Sequence, residues 1–164
     1  LTRFTVAKIA PKVTALRAKT FLDIINESGI DISSGVYCPM AGFGGIVEGT
    51  KRWFKSRKLD PIVEAYDINP NFCKFYGWEC RDALAQVVET DKIVVACPPF
   101  GRNTERWKGT PDNMYYEFDE WCVLLKKYIK AANYIFIGPE TYDKVPQYKS
   151  GKSRHSLFRK KVGI

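Results

Sequence analysis

The sequence has little of what metal centres, secretion and membrane insertion require. It contains one histidine and no two cysteines at the C-x-x-C spacing, so we expect no zinc site. No run of about eighteen apolar residues occurs, which argues against a transmembrane helix, and the first residues lack the apolar segment of a signal peptide. The five cysteines are odd in number and several lie in apolar segments, so we expect reduced thiols and a cytoplasmic location.

Acidic residues are absent from the C-terminal segment 144–164, which carries seven basic side chains in a chain of net charge +8. A second basic cluster follows residue 101. Basic segments of this kind often contact phosphate backbones, although a solvated basic surface is the alternative. The residues from which we expect contacts to nucleic acid are Arg102, Arg106, Lys108, Lys152, Arg154 and Lys160.

We expect one domain over residues 1–164, because the chain is 45% hydrophobic and shows no internal repeat. Apolar periodicity and turn residues predict alternating helices and strands. The predicted helices are 14–28, 46–57, 70–76, 83–88 and 115–131. The predicted strands are 35–40, 61–66, 78–80, 92–96 and 134–137. This alternation predicts an α/β fold with a mostly parallel, twisted sheet and helices on both faces.

The most informative segment is 94–101, Val-Val-Ala-Cys-Pro-Pro-Phe-Gly. Its β-branched start and its two prolines predict a buried strand that enters a rigid loop. Pro98 and Pro99 have no N–H and a fixed φ, so nearby carbonyl groups are held in place as acceptors. Phe100 offers a ring on which a base can stack, with core packing as the alternative. Acceptors beside an aromatic ring suit a planar base that carries an exocyclic amino group.

A glycine-rich segment, Ala41-Gly42-Phe43-Gly44-Gly45, separates a predicted strand from a predicted helix. Glycine allows positive φ and close approach of a ligand to the backbone, although a tight strand–helix turn has the same composition. No Lys-Ser/Thr pair follows, which excludes a P-loop. Asp67 comes about 23 residues after Gly44, near the spacing at which a carboxylate meets ribose hydroxyls. A helix N-cap is the alternative role for Asp67, and Asn69 competes for it.

Asp82 follows the third predicted strand. Its carboxylate can accept a hydrogen bond from an adenine amino group, and a helix cap is the alternative. Ligands of open α/β sheets bind at the carboxyl ends of the strands. The glycine-rich segment, Asp67, Asp82 and the Pro-Pro loop all fall at those ends, so we expect a nucleotide-like cofactor and a base to meet there.

Together these motifs resemble the S-adenosylmethionine-dependent methyltransferases, and most closely the Dam-like adenine-N6 DNA methyltransferases. That family has a lysine on its first helix, Pro-Phe-x-Gly-x-Gly after the first strand, Asp-Ile-Asn after the second and Asp-Pro-Pro-Tyr after the fourth. The matching residues here are Lys19, Pro39-Met40-Ala41-Gly42-Phe43-Gly44, Asp67-Ile68-Asn69 and Cys97-Pro98-Pro99-Phe100. The resemblance covers roughly residues 14–140 and implies a Rossmann-like class I methyltransferase fold.

The resemblance implies a role for each matched position. The flipped-out base would be held by Cys97, Pro98, Pro99 and Phe100, with its amino group donating to the carbonyl of Pro98. The implied activity is methyl transfer to an exocyclic amino group, most closely adenine N6 in DNA, with DNA preferred to RNA on the order of the motifs. S-adenosylmethionine would be bound with its ribose at Asp67 and its adenine ring at Asp82. The residues that would bind it are Lys19, Pro39, Ala41, Gly42, Gly44, Asp67 and Asp82.

Two departures from the family pattern leave alternatives open. Cys97 stands where the family has Asp or Asn, and a thiol is a poor acceptor. A catalytically weak or inactive module that binds nucleic acid or a partner subunit is therefore one alternative, and transfer to a small molecule or a protein is another. The stretch 82–94 is too short for a target-recognition domain, so specificity would come from a partner subunit or the basic tail. The family's sheet ends in an antiparallel hairpin, for which only 156–158 and 161–162 remain.

Overall fold

The structure, a computed structural model, describes residues 22–42, 44–99, 116–138, 147–150 and 153–158, the last two ranges by their backbone alone. Within these ranges the chain forms four helices and nine strands. The helices are α1 (residues 22–27), α2 (Gly45–Ser56), α3 (Pro70–Tyr76) and α4 (Phe118–Tyr128). The strands are β1 (Val36–Cys38), β2 (Val63–Asp67), β3 (Glu79–Cys80), β4 (Val88–Glu89), β5 (Ile93–Ala96), β6 (Ile129–Lys130), β7 (Tyr134–Gly138), β8 (Gln147–Ser150) and β9 (Ser153–Phe158).

Seven of these strands form one sheet in the order β3-β2-β1-β5-β7-β9-β8. The first five are parallel, and β9 is antiparallel to both of its neighbours. The predicted α/β fold with a mostly parallel sheet is therefore confirmed. Because β1 pairs with β2 on one side and with β5 on the other, the strand order reverses at β1. Ligands of open α/β sheets bind at such a switch point.

Alternation along the strands divides the core between the two sheet faces. On one face Val36 and Cys38 pack with side chains of α1 and α2, including the buried rings of Trp53 and Phe54. On the other face Tyr37 packs with side chains of α4. Helices therefore cover both faces. The longest described helix, α2, has 12 residues, and no helix in the described part of the chain has the length and apolarity that a membrane crossing requires.

Local chemistry sets the bounds of α3, which match the predicted 70–76. The Asn69 side chain accepts a hydrogen bond from the N–H of Asn71, Pro70 occupies the first helical position, and Gly77 ends the helix at φ +73°. Of the predicted helix 14–28 the structure describes residues 22–28, of which 22–27 are helical, and Gly29 follows at φ +72°.

The predicted helix 83–88 is wrong. Asp82 begins a turn instead, because its Oδ1 accepts from the N–H of Leu84 at 2.8 Å, and one short apolar stretch does not nucleate a helix. Strand β4 follows and pairs with β6. The predicted helix 115–131 is shorter in the structure. Glu117 is the N-cap of α4 and forms a capping box with Glu120 in the first turn, and α4 ends where β6 begins, because β6 pairs with β4.

The antiparallel hairpin at the end of the sheet forms from different residues than expected. The prediction used 156–158 and 161–162, whereas β8 pairs with β9 through the register from Gln147 opposite Ser156 to Ser150 opposite Ser153. Strand β9 then pairs with β7, which places the hairpin at the sheet edge. Residues 161–162 lie outside the described residues.

Candidate functional site

Three of the predicted site segments leave the carboxyl ends of three adjacent strands. The glycine-rich loop follows β1, Asp67 ends β2, and the Pro-Pro loop follows β5. Since β1 lies between β2 and β5, all three segments meet at one edge of the sheet, at the switch point.

Asp67 and Cys97 flank Cys38 on one face of the sheet. Cys38 is fully buried, and burial raises the pKa of its thiol to about 12, with smaller contributions in the same direction from Asp67 and Cys97. Cys97 also packs against the core cluster to which Cys38 belongs. The acidic end of β2 and the first residue of the Pro-Pro loop therefore lie on either side of Cys38.

The carboxylate of Asp67 connects two loops. Its Oδ2 accepts from the N–H of Gly42 at 2.7 Å, and its Oδ1 accepts from the N–H of Asn69 at 2.8 Å. The side chain is buried, with 8% of the residue exposed. Asn69, not Asp67, is the N-cap of α3, so the capping alternative for Asp67 is wrong. Asp67 instead fastens the glycine-rich loop to the loop after β2.

Burial shifts the pKa of this carboxyl group. Desolvation raises the pKa of Asp67 above its usual 3.8, and the N–H groups of Asn69, Gly42 and Ile68 oppose that shift. Each carboxylate oxygen carries a second lone pair that these bonds do not use. Asp67 can therefore accept further hydrogen bonding, such as that of a ligand hydroxyl group.

Two glycines of the loop after β1 have positive φ, Gly42 at +53° and Gly44 at +80°. Among the residues that the structure describes, none outside the chain neighbours has a heavy atom within 4 Å of a Cβ on Gly42, so space lies open beside it. A Cβ on Gly44 would lie 3.3 Å from the ring of Tyr76 and 3.5 Å from that of Trp78. These two rings stack at 4.4 Å and form a wall against the loop. The open side of the loop is therefore at Gly42.

We expect Gly44→Ala to lower the free energy of unfolding by about 2–4 kcal/mol, from the left-handed backbone and the tight ring contact together. Gly29→Ala is the matched control, because Gly29 has φ +72° and a Cβ there would have no heavy atom of the described part of the chain within 4 Å. The control should lose only about 1–2 kcal/mol. Urea unfolding measures both variants, and equal losses would contradict the packing contribution of Tyr76.

The Pro-Pro loop is held by α4. The indole N–H of Trp121 donates to the carbonyl oxygen of Pro99 at 2.8 Å, and Trp121 is itself buried with an edge contact to Tyr116 at 5.1 Å. Among the residues that the structure describes, none donates to the carbonyl of Pro98. Trp121 was not among the predicted site residues, because its bond to Pro99 depends on how α4 packs against β5.

Replacing Trp121 with phenylalanine removes the N–H donor and should loosen the loop next to Cys97. We expect alkylation of the half-buried Cys97 to become about fivefold faster, the effect of one hydrogen bond. Trp53→Phe is the control, because Trp53 is equally buried and donates to Asp23 Oδ1 at 2.8 Å, away from this loop. Peptide mass spectrometry after timed labelling measures the alkylation of Cys97 separately from that of the other cysteines. Equal rates in the two variants would contradict the anchoring role.

Asp82 begins the turn after β3, close to Asp67. The N–H of its neighbour Arg81 donates to the carbonyl of Asp67 at 2.9 Å. Asp82 Oδ1 accepts a hydrogen bond from the N–H of Leu84, so Asp82 caps a turn and not a helix. In the described ranges no donor reaches its Oδ2, which leaves that oxygen as an acceptor beside the Asp67 loop.

The described part of the site contains the predicted residues Pro39, Ala41, Gly42, Gly44, Asp67, Asp82, Cys97, Pro98 and Pro99. Arg154 lies in β9, opposite Lys149 of β8, in a range described by its backbone alone. The predicted residues outside the described ranges are Lys19, Phe100, Arg102, Arg106, Lys108, Lys152 and Lys160.

A shallow cavity of about 210 Å³ lies at the opposite end of the sheet, where the parallel strands begin. It is lined by the segment 30–33 that precedes β1 and by Trp53 and Arg57. Arg57 donates to Asp23 at 2.7 Å there, so its charge is paired. This cavity is remote from the loops around Asp67 and takes no part in the site.

Comparison with known proteins assigns no family: no family model matches the sequence, and no curated protein matches it. The geometry at the carboxyl ends of β1, β2 and β5 is therefore the basis for a functional proposal.

Proposed function

We propose that this chain is an S-adenosylmethionine-dependent methyltransferase domain that acts on the exocyclic amino group of a nucleic-acid base, with adenine N6 in DNA as the favoured target. The observation that carries the proposal is the position of Asp67 and Cys97 on either side of Cys38, across three adjacent parallel strands. A cofactor-binding carboxylate and a base-binding loop are thereby close enough to serve one reaction.

The strand order supports this proposal. The parallel strands β3-β2-β1-β5-β7 follow one another in the order of doubly wound nucleotide-binding folds, whose ligands lie at the switch point. The glycine-rich loop and the Pro-Pro loop leave the two strands that flank this point. The antiparallel hairpin of β8 and β9 is the ending that the methyltransferase resemblance implies.

The described residues fit the cofactor. The open space beside Gly42 admits a ligand to the loop backbone, and the remaining lone pairs of Asp67 suit the two ribose hydroxyls. Asp82 Oδ2 is available for the adenine amino group. S-adenosylmethionine, when bound, supplies an electrophilic methyl group on its sulfonium.

The Pro-Pro loop would position the acceptor amine. Pro99 gives its carbonyl to Trp121, which fixes the loop and leaves the carbonyl of Pro98 to accept from the amino group. An amine held by an acceptor has its lone pair directed, and such positioning supplies much of the rate of a transfer between two bound groups. The base would be flipped out of its stack to reach this edge.

Charge supports a nucleic-acid partner. The chain carries a net charge of +8, and the hairpin register sets Lys149 directly opposite Arg154. Like charges at opposed positions disfavour strand pairing, and a polyanion removes that penalty. Because only a turn and the short strand β4 separate β3 from β5, sequence specificity would depend on a partner subunit or on the basic tail.

A second candidate is a methyltransferase-like module without strong catalysis that binds nucleic acid or a partner subunit. The packing of Cys97 against the apolar core favours it, because a thiol in this environment is a poor acceptor for an amine. The fold and the Asp67 site would be the same in both cases.

The deciding experiment is transfer of labelled methyl from S-adenosylmethionine to unmethylated genomic DNA, followed by digestion to nucleosides. We expect label in N6-methyladenine nucleoside. A folded protein that binds the cofactor but transfers no label would favour the non-catalytic module. Label in another nucleoside would retain the reaction class and change the target.

A further inference from the structure

Two cysteines outside the reaction loops lie against the loop that carries Asp67. Cys73 of α3 is buried and its Sγ donates to the carbonyl of Asp67 at 3.2 Å. Cys80 of β3 is exposed and its Sγ donates to the carbonyl of Ile68 at 3.4 Å. The two thiols therefore bond to consecutive carbonyl groups of one loop.

The backbone keeps these thiols together. Cys80 is the register partner of Asp67 in the parallel pair of β2 and β3, and Cys73 Sγ also lies 3.6 Å from the carbonyl of Glu79, the residue before Cys80. The N–H of Trp78 donates to the carbonyl of Cys73, which closes the short path between α3 and β3. Burial, followed by the neighbouring Cys80 thiol, raises the pKa of the Cys73 thiol to about 11.

We propose that Cys73 and Cys80 form a dithiol site that reacts with small disulfides, such as oxidised glutathione, and closes into an intramolecular disulfide. The exposed Cys80 attacks one sulfur of glutathione disulfide, forms a mixed disulfide and releases one glutathione thiol. Cys73 then attacks the Cys80 sulfur and displaces the second glutathione. Two protein thiols are oxidised, the glutathione disulfide is reduced to two thiols, and the two protons pass to the released glutathione.

Closure acts on the loop between β2 and α3. The disulfide has no S–H, so the carbonyls of Asp67 and Ile68 both lose a donor. The same loop bears the carboxylate that holds the N–H groups of Gly42 and Asn69. Oxidation therefore weakens the connection between the two loops, and reduction restores it. A change in cofactor binding, which the weaker connection would cause, rests on the proposed function, whereas the closure of the disulfide does not.

The first test is peptide mapping of the folded protein after incubation with oxidised glutathione. Lys74 lies between the two cysteines, so tryptic cleavage there separates them unless a disulfide joins the peptides. We expect a linked pair that reduction separates, and the same pair in Cys122→Ser, whose replaced thiol is buried on α4. In Cys73→Ser the reaction should stop at the mixed disulfide between glutathione and Cys80. A wild-type protein that keeps glutathione on Cys80 without forming the linked pair would overturn the proposal.

The second test is amide hydrogen exchange at Gly42 and Asn69 in the oxidised and reduced protein. We expect about fivefold faster exchange after oxidation, the effect of one lost hydrogen bond. Cys80→Ser, treated in the same way, should show no change. Unchanged exchange in the cross-linked protein would overturn the coupling to Asp67. Neither readout uses methyl transfer, so an inactive protein that still forms the disulfide counts against the proposed function alone.

Discussion

Asp67→Ala is expected to lose most of its affinity for S-adenosylmethionine and to unfold at a lower urea concentration than the wild type. The substitution leaves the N–H groups of Gly42 and Asn69 without their acceptor in a buried place. An unsatisfied buried donor costs about 1–3 kcal/mol, so we expect a loss of about 2–4 kcal/mol in the free energy of unfolding. Affinity should fall because the proposed site would lose its ribose acceptors and the glycine-rich loop would lose its bond to Asp67. Calorimetric titration and urea unfolding measure the two effects.

Asp31→Ala is the matched control for this substitution. Asp31 also accepts two hydrogen bonds, from the N–H and the hydroxyl of Ser33, but it is exposed and precedes β1 at the opposite edge of the sheet. Its removal should leave cofactor affinity unchanged. Calorimetry that finds normal affinity in Asp67→Ala would show that Asp67 only connects the loops, and the cofactor site would then be misassigned.

The pH dependence of stability gives these two carboxyl groups opposite signs. Burial raises the pKa of Asp67, so the folded state holds its proton more tightly than the unfolded chain. The proton-linked contribution of Asp67 to the free energy of unfolding is therefore complete below the ordinary pKa of 3.8. It decreases as pH rises through the raised pKa of the folded state. Hydrogen bonds from Ser33 lower the pKa of Asp31, so its contribution is lost as pH falls. Urea unfolding of the two variants at pH values below and above 3.8 checks both signs.

The elements that sequence predicted most closely are those fixed by neighbouring residues. Helix α3 matches residue for residue because Asn69 caps it, Pro70 starts it and Gly77 ends it, and each of these acts within one turn. The predicted helix 83–88 failed because strand β4 takes its partner, β6, from a segment far along the chain. A short apolar stretch carries no information about such a partner.

The meeting of the candidate site's segments was predictable to a similar degree. The ends of parallel strands meet by rule, so the sequence placed the glycine-rich loop, Asp67 and the Pro-Pro loop at one edge. The bond from Gly42 to Asp67 and the bond from Trp121 to Pro99 depend on how loops and helices pack, and no spacing in the sequence encodes them. The position of Cys80 beside Asp67 follows from the register of β2 and β3, and the contact of Cys73 with the carbonyl of Glu79 follows from the packing of α3, which only the folded chain reveals.

Cys97→Asp is expected to raise methyl transfer by about 10- to 100-fold. A carboxylate beside Pro98 would give the acceptor amine a second hydrogen-bond acceptor, and a bond to a charged group contributes about 1.5–3 kcal/mol. The gain should appear in the turnover rate and leave cofactor affinity unchanged, because Asp67 and the glycine-rich loop are untouched. The same labelled-methyl assay measures it.

The gain has a cost in stability, because Cys97 packs against the apolar core around Cys38. Bringing a carboxylate there should lower the free energy of unfolding by about 1–3 kcal/mol, so transfer is measured at a temperature where the variant is fully folded. Cys97→Asn adds a neutral acceptor and should give a smaller gain, whereas Cys97→Ala adds none and should give no gain. If all three variants bind S-adenosylmethionine and transfer nothing, an acceptor at this position is not what limits the reaction. Binding of nucleic acid or of a partner subunit then becomes the better account of the domain, because the loops around Asp67 would hold a cofactor without using it.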